Sequence, residues 1–356
     1  MKQNIRLGSI VVGRGLPPVV VAELSGNHCG SLENAKRLIA EAKRQGAALV
    51  KLQTYRPDTI TSDVDSYVFR IQDPASLWKG RALYELYQEA HTPWEWHPAL
   101  FAYAHEVGIE LFSTPFDETA VDFLEQFNPP CYKIGSPEII DLPLIRKVAA
   151  TKKPLILSTG ASSLAEIGEA VEAARASGCQ ELILLRCVAA YPASPSDMHL
   201  QTLPHLQAAF DLPVGLSDHS LGATASIVSV AFGACVIEKH FTLSRRDGGV
   251  DSAFSLEPNE LGELVSSLQV AFASIGQIHY GPLPSEKTTH SHRPGLYFVR
   301  DKAAGSLICP EDVRSLRPTG EALPPKEFEH ILGLCLTKSV QKGDPVRWEL
   351  FQGKMA

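Results

Sequence analysis

The feature that most limits what this chain can become is a repeated alternation of strand-like and helix-like segments. Short apolar, β-branched runs occupy residues 19–24, 49–54, 109–115, 131–136, 155–160, 182–187, 213–218 and 235–242, eight in all. Between them lie stretches with helical spacing. The clearest is 31–46 (SLENAKRLIAEAKRQG), where Leu32, Ala35, Leu38, Ile39 and Ala42 recur on one face. Ser31 with Asn34 marks its start and Gly46 its end; residues 164–177 and 258–275 read the same way. Eight buried strands alternating with helices imply parallel pairing through right-handed crossovers, and a closed (β/α)8 TIM barrel is the simplest way to satisfy both. An open doubly wound sheet is disfavoured because the first run leads into Ser25-Gly26-Asn27-His28-Cys29-Gly30, which lacks G-x-G-x-x-G.

The chain has 356 residues, 44% of them hydrophobic, enough for a large core and a second, smaller domain. Residues 1–285 are expected to form the catalytic barrel, and 286–356 a linker with a small β-rich domain. The polar segment 281–293 (GPLPSEKTTHSHR) reads as the linker. Beyond it, runs at 296–300 and 314–317, a turn at 302–305 and the Pro324-Pro325 pair suggest a β unit too small to be stable without a packing partner. Residues 55–96, with Trp78, Trp94 and Trp96, separate the second strand from its helix by a connection long enough to serve as a lid or substrate wall.

A net charge of −7, without basic runs, argues against nucleic-acid and anionic-membrane surfaces. The seven cysteines stand singly, as expected in a reducing compartment. No apolar run reaches the roughly 18 residues of a membrane span, and residues 1–14 lack the apolar stretch of a secretion signal. The expectation is a cytoplasmic protein.

In such barrels, reactive groups collect at the C-terminal ends of the strands. Lys51 and Gln53 share a face on the second run, Ser217 and His219 at the end of the seventh, Glu238 and His240 on the eighth. Glu23 closes the first run, Thr114 the third, and Lys133 with Ser136 the fourth. Burying so many charged groups without a ligand would cost several kcal/mol each, so the set points to a site. Lys51 and Lys133 can neutralise a phosphate and a carboxylate, with hydroxyls from Thr114, Ser136 and Ser217, which suits a doubly anionic three-carbon substrate. Glu23 and Glu238 are candidates for proton transfer. His219 and His240 lie on adjacent strands and could share one metal ion or simply bond to each other.

These residues sit in strings that resemble the sialic acid synthase family: AELSGNH (22–28), VKLQTY (50–55), FSTPF (112–116), YKIGS (132–136), GLSDH (215–219) and EKHFT (238–242). The tail from about residue 293 resembles the family's antifreeze-like (SAF) domain. LYELY (83–87), TPWEW (92–96) and GVDSAFSLEP (249–258) look most like the pseudaminic acid synthase branch. The resemblance implies that C3 of phosphoenolpyruvate attacks the aldehyde of an open-chain acetamido sugar, water adds at C2, and phosphate leaves with C–O cleavage. It implies that His219 and His240 hold a divalent ion, manganese first, with magnesium or cobalt as alternatives. Lys51, Thr114, Lys133, Ser136 and Ser217 would bind phosphoenolpyruvate; Gln53, Tyr191 and Asp251 would contact the sugar; Glu23 would handle the water. It further implies a homodimer in which the tail domain covers the partner's active site and Arg317, in LRPTG (316–320), reaches the sugar.

Two positions depart from the family pattern. Ala189, in CVAAYP (187–192), replaces the Asn of neuraminate synthases, and Cys29 replaces a common Asn. Ala189 with Phe254 would give a more apolar lining, suited to 2,4-diacetamido-2,4,6-trideoxy-β-L-altropyranose rather than N-acetylmannosamine. Other readings are an N-acetylneuraminate or legionaminate synthase, an aldolase with Lys51 or Lys133 as Schiff-base nucleophile, and a non-catalytic carbohydrate-binding protein.

Overall fold

The computed structural model describes residues 4–74 and 76–352, and the chain divides into two compact units after Gly276. In the first unit the eight expected runs form β1 (Val19–Glu23), β2 (Leu49–Thr54), β3 (Glu110–Pro115), β4 (Tyr132–Ile134), β5 (Leu155–Ser158), β6 (Leu182–Cys187), β7 (Val214–Asp218) and β8 (Ala234–His240). They close into a barrel in chain order, all parallel, with β8 pairing back onto β1. The helix over Leu32–Arg44 begins as expected, Ser31 accepting a hydrogen bond from the Asn34 amide, and buries Ala35, Leu38, Ile39 and Ala42.

Side chains alternate across a strand, so each barrel strand feeds two different layers. Val20, Ala22, Val50, Leu52, Leu155 and Leu157 face the helices and share one core with Leu38, Ile39, Leu144 and Ile145. Val21, Leu49, Phe112, Ile156 and Val236 face the barrel axis and form a separate cluster. Two residues further along the same strands, on the same face, stand Glu23, Lys51, Thr114, Ser158 and Glu238. One inward-facing layer is therefore apolar and the next is polar, and strand parity alone carries the reactive groups to the C-terminal mouth.

The N-terminal end is closed by an antiparallel hairpin, Asn4–Leu7 with Ile10–Gly13, turning at Gly8 and Ser9. Ile5, Leu7 and Val12 are buried in the inner cluster beneath the apolar layer. At Gly215 on β7, a Cβ would lie 2.2 Å from the Val236 carbonyl oxygen and 2.6 Å from Leu185. Backbone of β8 cannot retreat without losing its ladder, so Gly215→Ala is expected to destabilise the barrel by roughly 3 kcal/mol, read as a lowered urea midpoint. An unchanged midpoint would mean that β7 and β8 separate freely there.

The second unit, from Gln277, pairs Gly295–Phe298 with Val313–Leu316. Leu296, Phe298, Ile308, Val313, Ile331 and Val346 form its core, and buried Asp312 holds the Lys302 ammonium at 2.9 Å. Among the described residues the remaining pairings are isolated bridges such as Lys302 with Val340 and Leu307 with Cys335. The unit is less regular than its sequence suggested because prolines at 294, 310, 318, 324 and 325 remove ladder donors. Part of the expected linker is helical, at Lys287–Ser291. No helix of the described residues is long and apolar enough to cross a membrane.

Candidate active site

A cavity of about 540 Å³ opens at the C-terminal mouth of the barrel. Lys51, Gln53, Thr114, Lys133, Ser136, Tyr191, Ser217, His219, Glu238, His240 and Asp251 all line it. Eleven residues chosen from seven different segments thus converge on one space. Arg317 belongs to the other unit, where it is exposed.

Glu23 is placed differently. It is fully buried and is not on the cavity wall. Its carboxylate lies behind Lys51, whose ammonium is 2.9 Å away, and accepts a hydrogen bond from Gln53 Nε2 at 2.9 Å. The register explains this: Glu23 pairs with Lys51 across β1 and β2 and with His240 across β1 and β8, so longer neighbours on both sides reach past it.

The floor is a compact charge network. The Lys51 ammonium also lies 3.3 Å from Glu238 and donates to Thr114 Oγ1 at 3.3 Å, while Lys133 stands 3.5 Å from the same Glu238 oxygen. Ser217 donates to that oxygen as well, at 3.2 Å. Burial opposes the Glu238 charge, but Lys133 and Lys51 outweigh it and bring the carboxyl down to about 2. Burial lifts Glu23 above the usual carboxylate range; Lys51 offsets only part of that, and nearby Glu238 adds to it. Burial likewise disfavours the Lys51 charge, yet Glu23 and Glu238 together hold it above the ordinary lysine value. For Lys133 burial wins over Glu238, and the neighbouring Lys51 pushes the same way, so it lies below that value. The two carboxylates that looked equivalent in the sequence therefore differ. Glu238 is held toward its ionised form between both lysines, whereas Glu23 is pushed toward its protonated form.

Ser136 accepts a hydrogen bond from the Gly160 amide at 3.0 Å, and its hydroxyl also bonds Cys187, a weak thiol partner that an anion in the cavity could replace. Ser158, also on the wall, has a buried hydroxyl with no partner. An oxyanion would satisfy both.

His219 and His240 have ring centroids 5.2 Å apart. His219 Nδ1 lies 2.9 Å from the Val188 carbonyl; as a donor there, it leaves the Nε2 lone pair for a ligand. Burial, with His219 and the lysines adding to it, keeps His240 well below the usual histidine range and hence neutral, the form that binds metals. Its Nδ1 is buried without a hydrogen-bond partner, 3.5 Å from Asp251. Among the described residues no group of three or more His, Cys, Asp and Glu side chains is spaced to hold a metal ion. The pair fits a divalent ion that takes its remaining ligands from water and substrate oxygens.

Tyr191 packs over His219 at 4.4 Å and against Phe254 at 5.4 Å between ring centroids. Ala189, expected to shape this lining, is exposed and is not among the residues around the cavity. Residues that sequence reasoning passed over also line it. Glu138 has an unpartnered Oε2, and burial raises its pKa. The only sequence cue was its place two residues after Ser136. Ser25 donates to Asp251 Oδ2 and holds φ at +44°, a strained conformation for a serine that nothing in the sequence announced.

The NeuB family model matches residues 38–280, and the SAF domain model matches 293–352. A pseudaminic acid synthase of Campylobacter jejuni is 39% identical over 331 residues, 92% of this chain and 95% of the relative. An N,N'-diacetyllegionaminic acid synthase of Legionella pneumophila is 35% identical, covering 95% of each. The solved N-acetylneuraminic acid synthetase of Leptospira borgpetersenii, 30% identical, superposes with a TM-score of 0.72 over 81% of this chain and 95% of its own. With the family model spanning most of the barrel and these relatives most of the chain, the protein belongs to the NeuB family and is an enzyme of it.

Proposed function

We propose that this enzyme is a pseudaminic acid synthase, condensing phosphoenolpyruvate with 2,4-diacetamido-2,4,6-trideoxy-β-L-altropyranose and water to give pseudaminic acid and phosphate. The observation that carries the reading is the floor of the cavity, where two buried lysines and the unpartnered Ser158 hydroxyl stand beside two histidines. The 39% identical relative that bears this name favours the branch.

In this reading Lys51, Lys133, Thr114, Ser136 and Ser217 hold the phosphate and carboxylate of phosphoenolpyruvate. His219 and His240 would hold a divalent ion, which when bound supplies Lewis-acid polarisation of the sugar aldehyde. Gln53, Tyr191, Asp251 and the carboxylate of Glu138 orient the open-chain sugar, whose hydroxyl and amide hydrogens need acceptors in a site otherwise rich in donors. Substrate anions draw the Lys51 ammonium toward themselves and away from Glu23. Stripped of part of its counter-charge in a fully buried place, Glu23 then gains proton affinity, which equips it to take the proton of the water that adds at C2. As an assembly, we propose a homodimer in which the SAF domain of one protomer brings Arg317 to the partner's sugar.

A different reading, a Schiff-base aldolase, has one observation in its favour, the lowered pKa of Lys133. One experiment separates the readings. Phosphate release is followed with phosphoenolpyruvate and either the altrose derivative or N-acetylmannosamine, with manganese or with chelator, beside a borohydride trapping control. Chelator-sensitive release with the altrose derivative is the expected result. Preference for N-acetylmannosamine keeps the chemistry and removes the branch. Borohydride trapping with chelator-insensitive turnover removes the condensation mechanism itself.

A further inference from the structure

The connection of residues 55–96 leaves the C-terminal end of β2, so it lies over the mouth of the barrel rather than beneath it. The wall it lends to the cavity is chemically mixed, with Ile71 and Leu86 beside Asp73, Ser76 and Tyr87. Trp78, on the same wall, reaches further. Its ring lies 5.8 Å from that of Tyr191, which follows β6, the strand opposite β2 in the closed barrel. Its indole N–H donates to the Val250 carbonyl at 3.1 Å, in the loop that follows β8. One half-buried side chain of the connection thus spans the mouth and engages two loops that belong to other strands.

Both loops carry groups proposed to contact the acceptor. Val250 precedes Asp251, whose carboxylate accepts from the Ser25 hydroxyl and lies 3.5 Å from His240 Nδ1. On the other flank of Val250, Gly249 packs so closely on the loop after β1 that a Cβ there would stand 2.8 Å from Asn27 Oδ1. The loop after β1 and the connection after β2 therefore both hold residues 249–251, and Asp251 keeps its place through both. Tyr191 packs over His219 at 4.4 Å and has Trp78 as a further ring neighbour. Neither partner of Trp78 is among the groups proposed to hold phosphoenolpyruvate. Small displacements of groups that orient a substrate are costly, so the anchor of those groups matters as much as the groups themselves.

We propose that Trp78 is a positioning residue for the acceptor sugar: by spanning the mouth it lets the connection after β2 fix Asp251 and Tyr191, the sugar contacts carried by the loops after β8 and β6. The inference rests on the synthase reading above and holds for whichever acetamido sugar the native enzyme turns over. Its test measures KM for that sugar and KM for phosphoenolpyruvate separately. Trp78→Phe keeps a ring and removes the donor, and loss of that hydrogen bond should raise the sugar KM roughly fivefold to tenfold. Trp78→Ala removes the ring contact as well and should raise it about a hundredfold. In both variants KM for phosphoenolpyruvate stays at its native value and kcat at saturating sugar changes little, the pattern of lost binding shared by ground and transition states. The alditol made by reducing the sugar's aldehyde binds without reacting; it should change the tryptophan emission of the native enzyme, and Trp78→Phe should abolish that change. A sugar KM that Trp78→Phe leaves unmoved overturns the proposal, and so does a parallel rise in both KM values with a lowered Tm, which is the mark of a purely structural side chain. Absence of phosphate release by the native enzyme with either sugar overturns the synthase reading, and this role of Trp78 with it.

Discussion

Replacing Lys51 by methionine is expected to lower kcat/KM for phosphoenolpyruvate by roughly a thousandfold, since truncating one member of a buried charge pair costs about 2–5 kcal/mol. Lys51 is only 5% exposed, and its ammonium serves Glu23 at 2.9 Å, Glu238 at 3.3 Å and Thr114 at 3.3 Å. Among the described residues nothing else pairs with both carboxylates, because Lys133 reaches only Glu238. Methionine keeps the length and loses the charge, so the anionic substrate faces a floor that has one cation instead of two. The variant should also change its pH profile. Burial already raises the Glu23 pKa, and Lys51 is the group that holds it down. Without Lys51 it rises further, and since the proposed base works ionised, the acid limb of kcat moves to higher pH. Glu23→Gln should lose that limb altogether and keep the affinity for phosphoenolpyruvate. If Lys51→Met lowers kcat/KM less than tenfold and leaves the acid limb in place, the lysine is a structural counter-ion and the phosphate is held elsewhere. Arginine should rescue poorly, because its planar fork cannot occupy the point between three acceptors on three strands.

The barrel was legible because its two signals are local. An apolar run followed by helical spacing recurs eight times, and parity along each run states which residues share a face; Lys51, Glu238 and Ser217 are read off correctly for that reason. Depth was not legible. Glu23 has the same parity as Lys51, yet the cross-strand register and the length of the lysine side chain put it behind the wall. The same limit applies to Ala189, which faces solvent although its motif neighbour Tyr191 faces the cavity. The N-terminal hairpin carried a usable cue, alternating Ile5-Arg6-Leu7 and Ile10-Val11-Val12 around Gly8-Ser9. It was overlooked because a four-residue strand is too short for periodicity to register. Glu138 and Ser25 enter the site through backbone geometry: a short 3₁₀ turn at Pro137–Ile140 turns Glu138 inward, and the left-handed Ser25 aims its hydroxyl at Asp251. Neither conformation follows from residue type.

The largest stability effect is expected on the outside of the barrel, at Lys239. This lysine and Asp218 are both 0% exposed and lie 3.1 Å apart across β7 and β8. The ammonium also donates to the Ser220 carbonyl. Asp218 accepts from the Ser220 amide at 2.8 Å, the Ser220 hydroxyl at 2.6 Å and the Ser226 hydroxyl at 2.6 Å. Lys239→Met leaves that carboxylate buried and uncompensated, which costs about 3–5 kcal/mol, a drop in Tm of roughly 6–15 °C for a unit of this size. Asp218→Asn added to Lys239→Met removes the orphan charge; the amide oxygen still accepts from the Ser220 amide and hydroxyl and the NH2 group can donate to Ser226 Oγ, so the double variant should regain more than half of the loss. The pair sits one residue before His219 and one before His240, so its network fixes the two strand ends that bring those imidazoles together. If the double variant is no more stable than the single one, an uncompensated charge is not what unfolds the barrel. Loss of the ammonium's own bond to the loop at Ser220 would then be the cause, and the same urea series carried out with Lys239→Arg, which can still reach that carbonyl, would show recovery where the double variant does not.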